Sequence, residues 1–211
     1  MKKKFLSLMM AAAVVATTSV NAFAASDATV SENGGSVDVK ITGSVNDELD
    51  KAPEGTINVT VPTALTFTVN KDGNFTGTSL TITNNGTEAV DVFAYEFTDI
   101  NSNSTNGIEV KKTLADEDNR SKVTLNLSGN KGIANFASDA GTGRGVYDAD
   151  LADATSADGI KLARIDKVGS TQNTGELTLR GDAGKSKTVK VNKAITEDFT
   201  LKLKIKKASE S

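Results

Sequence analysis

The chain has 211 residues, with 24 lysines and arginines against 27 aspartates and glutamates, and it contains no histidine, cysteine or tryptophan. This composition excludes Ser-His-Asp and Cys-His nucleophiles, zinc sites of the usual kind, haem and iron–sulfur ligation, and disulfide bonds. The mild acidity and the 5% aromatic content argue against nucleic acid as a partner. We expect the protein to need no cofactor.

The first 24 residues have the pattern of a secretory signal peptide. Three lysines at 2–4 precede an apolar run over 5–20, and Ala22-Phe23-Ala24 is a small-x-small cleavage motif. Signal peptidase is therefore expected to cut between Ala24 and Ala25, which removes three lysines and changes the net charge from −3 to −6. An uncleaved membrane anchor is the alternative. No later apolar stretch approaches the roughly 18–20 residues that span a bilayer, so we expect a secreted protein without membrane attachment after cleavage.

The segment 25–45 follows the cleavage site. Its first part, 25–35, is polar and ends in two glycines, whereas 36–45 alternates strictly between apolar and polar residues. A polar connection, 46–55, follows. An alternating strand on a polar tether is suited to pairing with the sheet of a neighbouring molecule, so we expect part of 25–45 to be a donor strand. The alternative is an ordinary first strand behind a polar leader. The expected anchors of the donor are Ala28, Val30, Val37, Val39 and Ile41.

Period-two alternation predicts strands through most of the remaining chain. Turn residues separate them at 70–74 (NKDGN) and 84–86 (NNG). About ten strands with polar outer faces predict an all-β, antiparallel β-sandwich in a single domain, 46–211. We expect Phe67, Val90, Val92 and Phe93 to line its core. The predicted strands are 57–61, 65–69, 80–82, 90–97, 108–110, 123–127, 160–165, 177–179, 189–191 and 199–205.

The segment 129–159 interrupts this alternation. It is rich in glycine, alanine and aspartate and has few apolar residues, so we expect a long loop or insertion that is mobile, partly helical near 147–154, or functional. Its carboxylates are candidate calcium ligands, although their spacing does not match an EF-hand and solvated loop carboxylates are the favoured interpretation. These candidates are Asp148, Asp150, Asp153 and Asp158. The acidic run 116–118 is interpreted in the same way, as a solvated turn.

Two further features have competing interpretations. Lysines at 202, 204, 206 and 207 alternate along the last predicted strand, and they either bind an acidic wall polymer or protect an edge strand from unwanted pairing. We favour the edge strand. Paired carboxylates can hydrolyse glycosidic bonds, but two tyrosines and no tryptophan provide a poor platform for sugar rings. We therefore expect no enzyme activity.

The stretch 55–97 contains the pattern L-x-I-x-N-N-G-x-x-x-V-x-V after two short strands. Together with the signal peptide, the SDAT at 26–29 and the absence of cysteine, it resembles secreted Gram-positive fibre subunits of the TasA and camelysin group, and more closely the clostridial BsaA type. The resemblance covers roughly the first half of the chain and ends before 129–159. It implies a jelly-roll-like sandwich and export through a dedicated signal peptidase. It also implies polymerisation of the chain with itself, and with a minor subunit in some fibres, through the mature N-terminus into extracellular matrix or surface fibres.

A second resemblance competes with the first. The sequence VPTALTF at 61–67 is similar to wall-binding domains with two Trp-x-Leu motifs, but the tryptophans of that family are absent. The alternative function is therefore a monomeric adhesin that binds the cell wall or a carbohydrate. A fibre subunit and a monomeric module differ in whether the exported chain assembles with itself.

Overall fold

The computed structural model describes residues 27–30, 33–40, 55–99, 107–138, 143–186 and 195–209. For the strands within 27–40 it describes the backbone and its pairing. The segments 46–54 and 189–191, the anchor Ile41 and the cleavage site Ala24–Ala25 lie outside the described residues, so the expectations for them stay predictions.

The described residues form fourteen β-strands and no helix, which confirms the expected all-β antiparallel sandwich. The strands are β1 (Asp27–Val30), β2 (Ser36–Lys40), β3 (Val59–Pro62), β4 (Phe67–Val69), β5 (Phe75–Gly77), β6 (Ser79–Asn84), β7 (Val90–Asp99), β8 (Glu109–Val110), β9 (Lys122–Ser128), β10 (Ile133–Phe136), β11 (Val146–Tyr147), β12 (Ile160–Ile165), β13 (Thr174–Ala183) and β14 (Phe199–Lys207). Eight strands form the larger sheet, in the order β1-β3-β6-β13-β9-β10-β11, with β8 parallel to β9. Four form the smaller sheet, in the order β12-β7-β14-β2, and β4 pairs with β5 in a separate hairpin.

One hydrophobic core lies between the two sheets. It forms because alternate residues of each strand point inward, as in β14, where Leu201 and Leu203 are buried and Lys202 between them is partly exposed. Phe97 of β7 stacks on Phe136 of β10, with ring centroids 5.0 Å apart, and so joins the smaller sheet to the larger one. On the other side, Phe97 stacks on Phe199 at 5.6 Å. Burial of these large side chains is the main stabilising contribution to the fold.

The predicted core residues are confirmed with one exception. Val90 and Val92 are fully buried, and Phe67 packs against the core from the β4–β5 hairpin. Phe93 was expected in the core, and that expectation is wrong. It shares the outer face of β7 with Asp91, opposite Lys161 of β12, and it is partly exposed. The alternation along β7 explains this, because Phe93 has the opposite parity to Val90 and Val92.

The segment 129–159 contributes to the larger sheet. Its strands β10 and β11 extend that sheet beyond β9, and Phe136 and Tyr147 are among the most deeply buried side chains. The expectation of a partly helical stretch near 147–154 is wrong, since the chain there forms a turn in which the Leu151 N–H donates to the Asp148 carbonyl at 3.0 Å. Short strands with many alanines and glycines gave too little alternation to be detected in the sequence.

The NNG turn at 84–86 connects the end of β6 by hydrogen bonds to the loop before β7 and to the loop after β12. Asn84 is fully buried, and its Nδ2 donates to the carbonyls of Glu88 at 2.7 Å and Asp166 at 3.0 Å. Its Oδ1 accepts a hydrogen bond from the Gly86 N–H at 2.9 Å. A Cβ at Gly86 would lie 2.4 Å from the Thr56 carbonyl oxygen, so only glycine fits there. The predicted turn is confirmed.

Candidate functional site

The segment 27–40 lies at the edges of both sheets. β1 is the first strand of the larger sheet and pairs only with β3 among the described strands, while β2 is the last strand of the smaller sheet and pairs only with β14. Both pairings are antiparallel, with four residue pairs for β1 and five for β2. We call residues 27–40 the N-terminal arm. The arm therefore closes one side of the sandwich by adding one strand to each sheet.

The register of the arm matches the alternation expected from the sequence. Ala28 lies opposite Val61 and Val30 opposite Val59, and both of these β3 residues are fully buried. In β2, Val37 lies opposite Leu203, and Val39 lies opposite Leu201. Both leucines are buried as well. Four of the five predicted anchors thus occupy register positions opposite core residues.

The turn between the two strands is held by the end of β14. The Ile205 N–H donates to the Gly35 carbonyl at 2.9 Å, and the Lys207 N–H donates to Asn33 Oδ1 at 3.0 Å. Gly34 has a φ of +80°, a conformation that residues with a side chain rarely adopt. The NGG sequence at 33–35, near the end of the polar leader, therefore forms the described part of the turn between β1 and β2, so that one arm pairs with both sheets.

Without the arm, the sandwich would have two open strand edges on the same side. The N–H and C=O groups of β3 and β14 that now face the arm would lose their partners, and buried side chains behind them would meet water. Val59, Val61, Leu201 and Leu203 lie directly at these edges. Open edges beside apolar surface are sites of strand addition or aggregation. This side of the molecule is the candidate functional site.

The last strand is not an edge strand, and the favoured interpretation of its lysines is wrong. β14 lies between β7 and β2, so both of its edges are paired. Its lysines form ion pairs across the outer face of the smaller sheet, because β7 and the neighbouring loops place carboxylates beside them. These pairs are Lys202–Glu96 at 3.2 Å, Lys204–Asp158 and Lys206–Asp158 at 2.7 Å, and Lys207–Glu88 at 2.9 Å.

The four candidate calcium ligands do not converge on one site. Asp158 lies between Lys204 and Lys206, and Asp148 Oδ1 accepts hydrogen bonds from the N–H groups of Asp150 and Ala152 in its own loop. The Asp150 and Asp153 residues are exposed. Among the described residues, no group of three or more acidic side chains is arranged to hold a metal ion.

The acidic run 116–118 contains one buried carboxylate. Asp118 was expected to be solvated, and that expectation is wrong: it accepts hydrogen bonds from Lys111 Nζ at 2.7 Å and from the Ala115 N–H at 2.7 Å. Burial opposes its ionisation, but these hydrogen bonds outweigh burial and lower the pKa of Asp118. The bond to Asp118 in turn raises the pKa of Lys111. This pair stabilises the loop before β9.

Asp158 is expected to make the fold sensitive to acid. Hydrogen bonds from Lys204 and then Lys206 lower its pKa in the folded chain. Asp158 therefore stabilises the fold above its unfolded pKa of about 3.9, and this contribution is lost as the pH falls through the lower folded value. Asp158→Asn should cost about 0.5–1 kcal/mol at pH 7 and little near pH 2. Urea unfolding between pH 2 and 7 measures this, with the exposed Asp150→Asn as the control. Equal losses at pH 7 and pH 2 would contradict the assignment.

A small cleft lies at the end of β7, lined by Glu96, Asp99, Ser138 and Arg144. Its volume is about 200 Å³, below the roughly 300–1,000 Å³ of typical ligand pockets. Its carboxylates already have partners, since Glu96 pairs with Lys202 and Asp99 accepts a hydrogen bond from Ser138 Oγ at 2.6 Å. Arg144 lies over the Tyr95 ring. The charged side chains that line the cleft therefore already interact with other residues of the chain, which makes the cleft a poor candidate for a substrate site.

Comparison with family models, curated proteins and solved structures gives no match. The described part of the chain contains no helix that is long and apolar enough to cross a membrane. The N-terminal arm is therefore the feature of the molecule from which we infer a function.

Proposed function

We propose that this chain is an exported structural subunit that polymerises by exchanging its N-terminal arm. The arm of one subunit leaves its own sandwich and pairs with β3 and β14 of the next, and the product is an extracellular matrix or surface fibre. The observation that carries the proposal is that one contiguous arm supplies the edge strand of both sheets. The protein has no catalytic role in this proposal.

The energetics of exchange favour the arm as the mobile element. Moving it breaks one ladder in each sheet, and the same ladders form again in the neighbour, so the intrinsic pairing energy is conserved. The fourteen residues 41–54 connect the arm to the described part of the sandwich, and at full extension they span about 46–50 Å. That length is sufficient to reach a subunit in contact. Each buried valine of the donated strand would contribute on the order of 1.5–3 kcal/mol.

A pair of chains tests the proposal. The mature chain should form fibres visible by negative-stain electron microscopy, and surface extracts should show a heat-resistant ladder on a gel. A chain that lacks 25–40 can accept an arm but cannot donate one. It should therefore form no fibres alone, and a small fraction of it should shorten the fibres of the intact chain.

The control shows that the shortened chain still folds. A synthetic 25–45 peptide should bind it, raise its melting temperature and stop it from shortening fibres, while circular dichroism shows retained β-structure. Fibres of normal length from the chain lacking 25–40 would exclude the arm as donor. A mature chain that stays monomeric at every concentration would favour the wall-binding or carbohydrate-binding adhesin instead.

A further inference from the structure

The outer face of the larger sheet differs from that of the smaller one. Apart from Glu176 and Arg180 on β13, short uncharged side chains cover its centre, in contrast to the ion pairs around β14. One row crosses four strands, because the register places Ser79 beside Thr178, Thr178 beside Ser128, and Ser128 beside Ile133. Ser79 Oγ lies 3.0 Å from Thr178 Oγ1. The neighbouring rows add Thr81, Thr83, Thr124 and Asn126. Such short side chains allow a second sheet to approach closely.

Ile133 is an exception on this polar face. It is 52% exposed, and among the described residues no other large apolar side chain is exposed to solvent to this extent. Its neighbour in the row, Ser128, is too short to cover it. A single exposed isoleucine needs no explanation by itself. Ile133 lies, however, in the same row as Thr178, and charged residues flank Thr178 on both sides.

Two opposite charges flank Thr178 on β13. Glu176 and Arg180 are each two residues from it, so both point outward, and both are exposed. Neither forms an ion pair with another described side chain. Each lies about 7 Å from Thr178 along the strand. β13 is also the middle strand of the seven-strand path across the larger sheet, so these charges lie near the centre of the face.

This arrangement is self-complementary under a two-fold axis along the row. Such an axis places β13 antiparallel to β13 of a second copy, with Thr178 facing Thr178. Glu176 then faces Arg180 of the second copy, and the pair occurs twice because an isologous contact repeats every interaction. Ile133 meets Ile133 of the second copy and loses its exposure to water. We propose that the outer face of the larger sheet binds the same face of a second copy of this chain.

The expected strength follows from the area. Four strands by about five residues give a face of roughly 19 Å by 17 Å, or about 320 Å² per copy. Stable interfaces bury about 800 Å² per partner, so two separate subunits should associate weakly. If the chain also forms fibres, many such faces act together and two fibres should associate side by side. Only this last consequence depends on the proposed polymerisation.

Site-specific cross-linking tests the axis. The chain has no cysteine, so Thr178→Cys introduces a single thiol at the predicted axis. With a short bis-maleimide, this mature chain should give a covalent dimer at high protein concentration. Thr98→Cys on the exposed outer part of β7 makes the same substitution in the smaller sheet and should give about tenfold less dimer. Equal yields at the two positions would overturn the proposal.

Exchanging the charges at Glu176 and Arg180 tests whether the partner is a second copy of this chain. In the Thr178→Cys chain, Glu176→Arg or Arg180→Glu alone places like charges opposite each other, and each should reduce the dimer about fivefold or more. The double variant restores both pairs, and its yield should return to within about twofold of the parent. A partner other than a second copy would not be restored by this exchange. Failure of the double variant to recover, with circular dichroism unchanged, would overturn the two-fold geometry.

Arm exchange and self-association through the larger sheet can be tested independently of each other. Val39→Asp is designed to block arm exchange and lies in the smaller sheet. Dimer formation through Thr178→Cys should persist in that background. Loss of the dimer together with loss of fibres would show that the contact arises only inside a polymer, and it would contradict an independent self-association surface.

Discussion

Replacing Val39 by aspartate should abolish assembly while the subunit remains folded. Val39 lies opposite Leu201 in the ladder between β2 and β14, and Leu201 is buried. A carboxylate at this register position must either be buried without a partner, at a cost of several kcal/mol, or keep β2 out of the sheet. Negative-stain microscopy and sedimentation of the mature chain measure the loss of fibres.

A second aspartate substitution on the same strand tests whether the loss of fibres depends on the position of the carboxylate or only on its charge. Ser36→Asp introduces the same carboxylate three residues earlier, at the register position opposite Lys204. Lys204 belongs to the outer, partly exposed set of β14, so this carboxylate stays hydrated beside a cation. Fibres should form normally. Normal fibres from Val39→Asp, or equal loss from both variants, would contradict the assigned register.

Truncating Leu203 to alanine should cost about 2–5 kcal/mol of unfolding free energy. Leu203 is fully buried in β14, which lies between β7 and the arm, so the cavity is enclosed by strands on both sides. Urea unfolding followed by circular dichroism measures the change. Asp150→Asn, in an exposed turn, should change the stability by less than about 0.5 kcal/mol.

The Leu203→Ala and Asp150→Asn variants also show how the stability of the subunit affects fibre assembly. Leu203 faces the arm as well as the core, so Leu203→Ala should weaken fibres in proportion to its effect on the subunit. A cost below about 1 kcal/mol would contradict the position of β14 as an interior strand of the smaller sheet. The Asp150→Asn chain should assemble as the parent does.

Alternation alone was sufficient to predict the fold class and most strands. In β9, and in β14 as far as Lys206, buried and partly exposed residues alternate without interruption, so a two-residue period in the sequence is the period of the finished strand. The turns at 70–74 and 84–86 were predictable for a similar reason, because asparagine and glycine form them through local bonds such as that from the Gly86 N–H to Asn84 Oδ1. The predicted anchors Ala28, Val30, Val37 and Val39 also have the expected parity in the register.

Alternation and turns can be predicted from the sequence because they depend on neighbours within a few positions along the chain, and the excluded chemistries follow from the residue types that are missing. The tertiary structure is needed to see which strands are adjacent. It places β14 between β7 and β2, buries Asp118 and brings Asp158 between two lysines. It also places the two halves of one arm on different sheets. The paired strands, and Asp158 and its lysines, are far apart in sequence, and pairing between distant strands depends on the packing of the whole core.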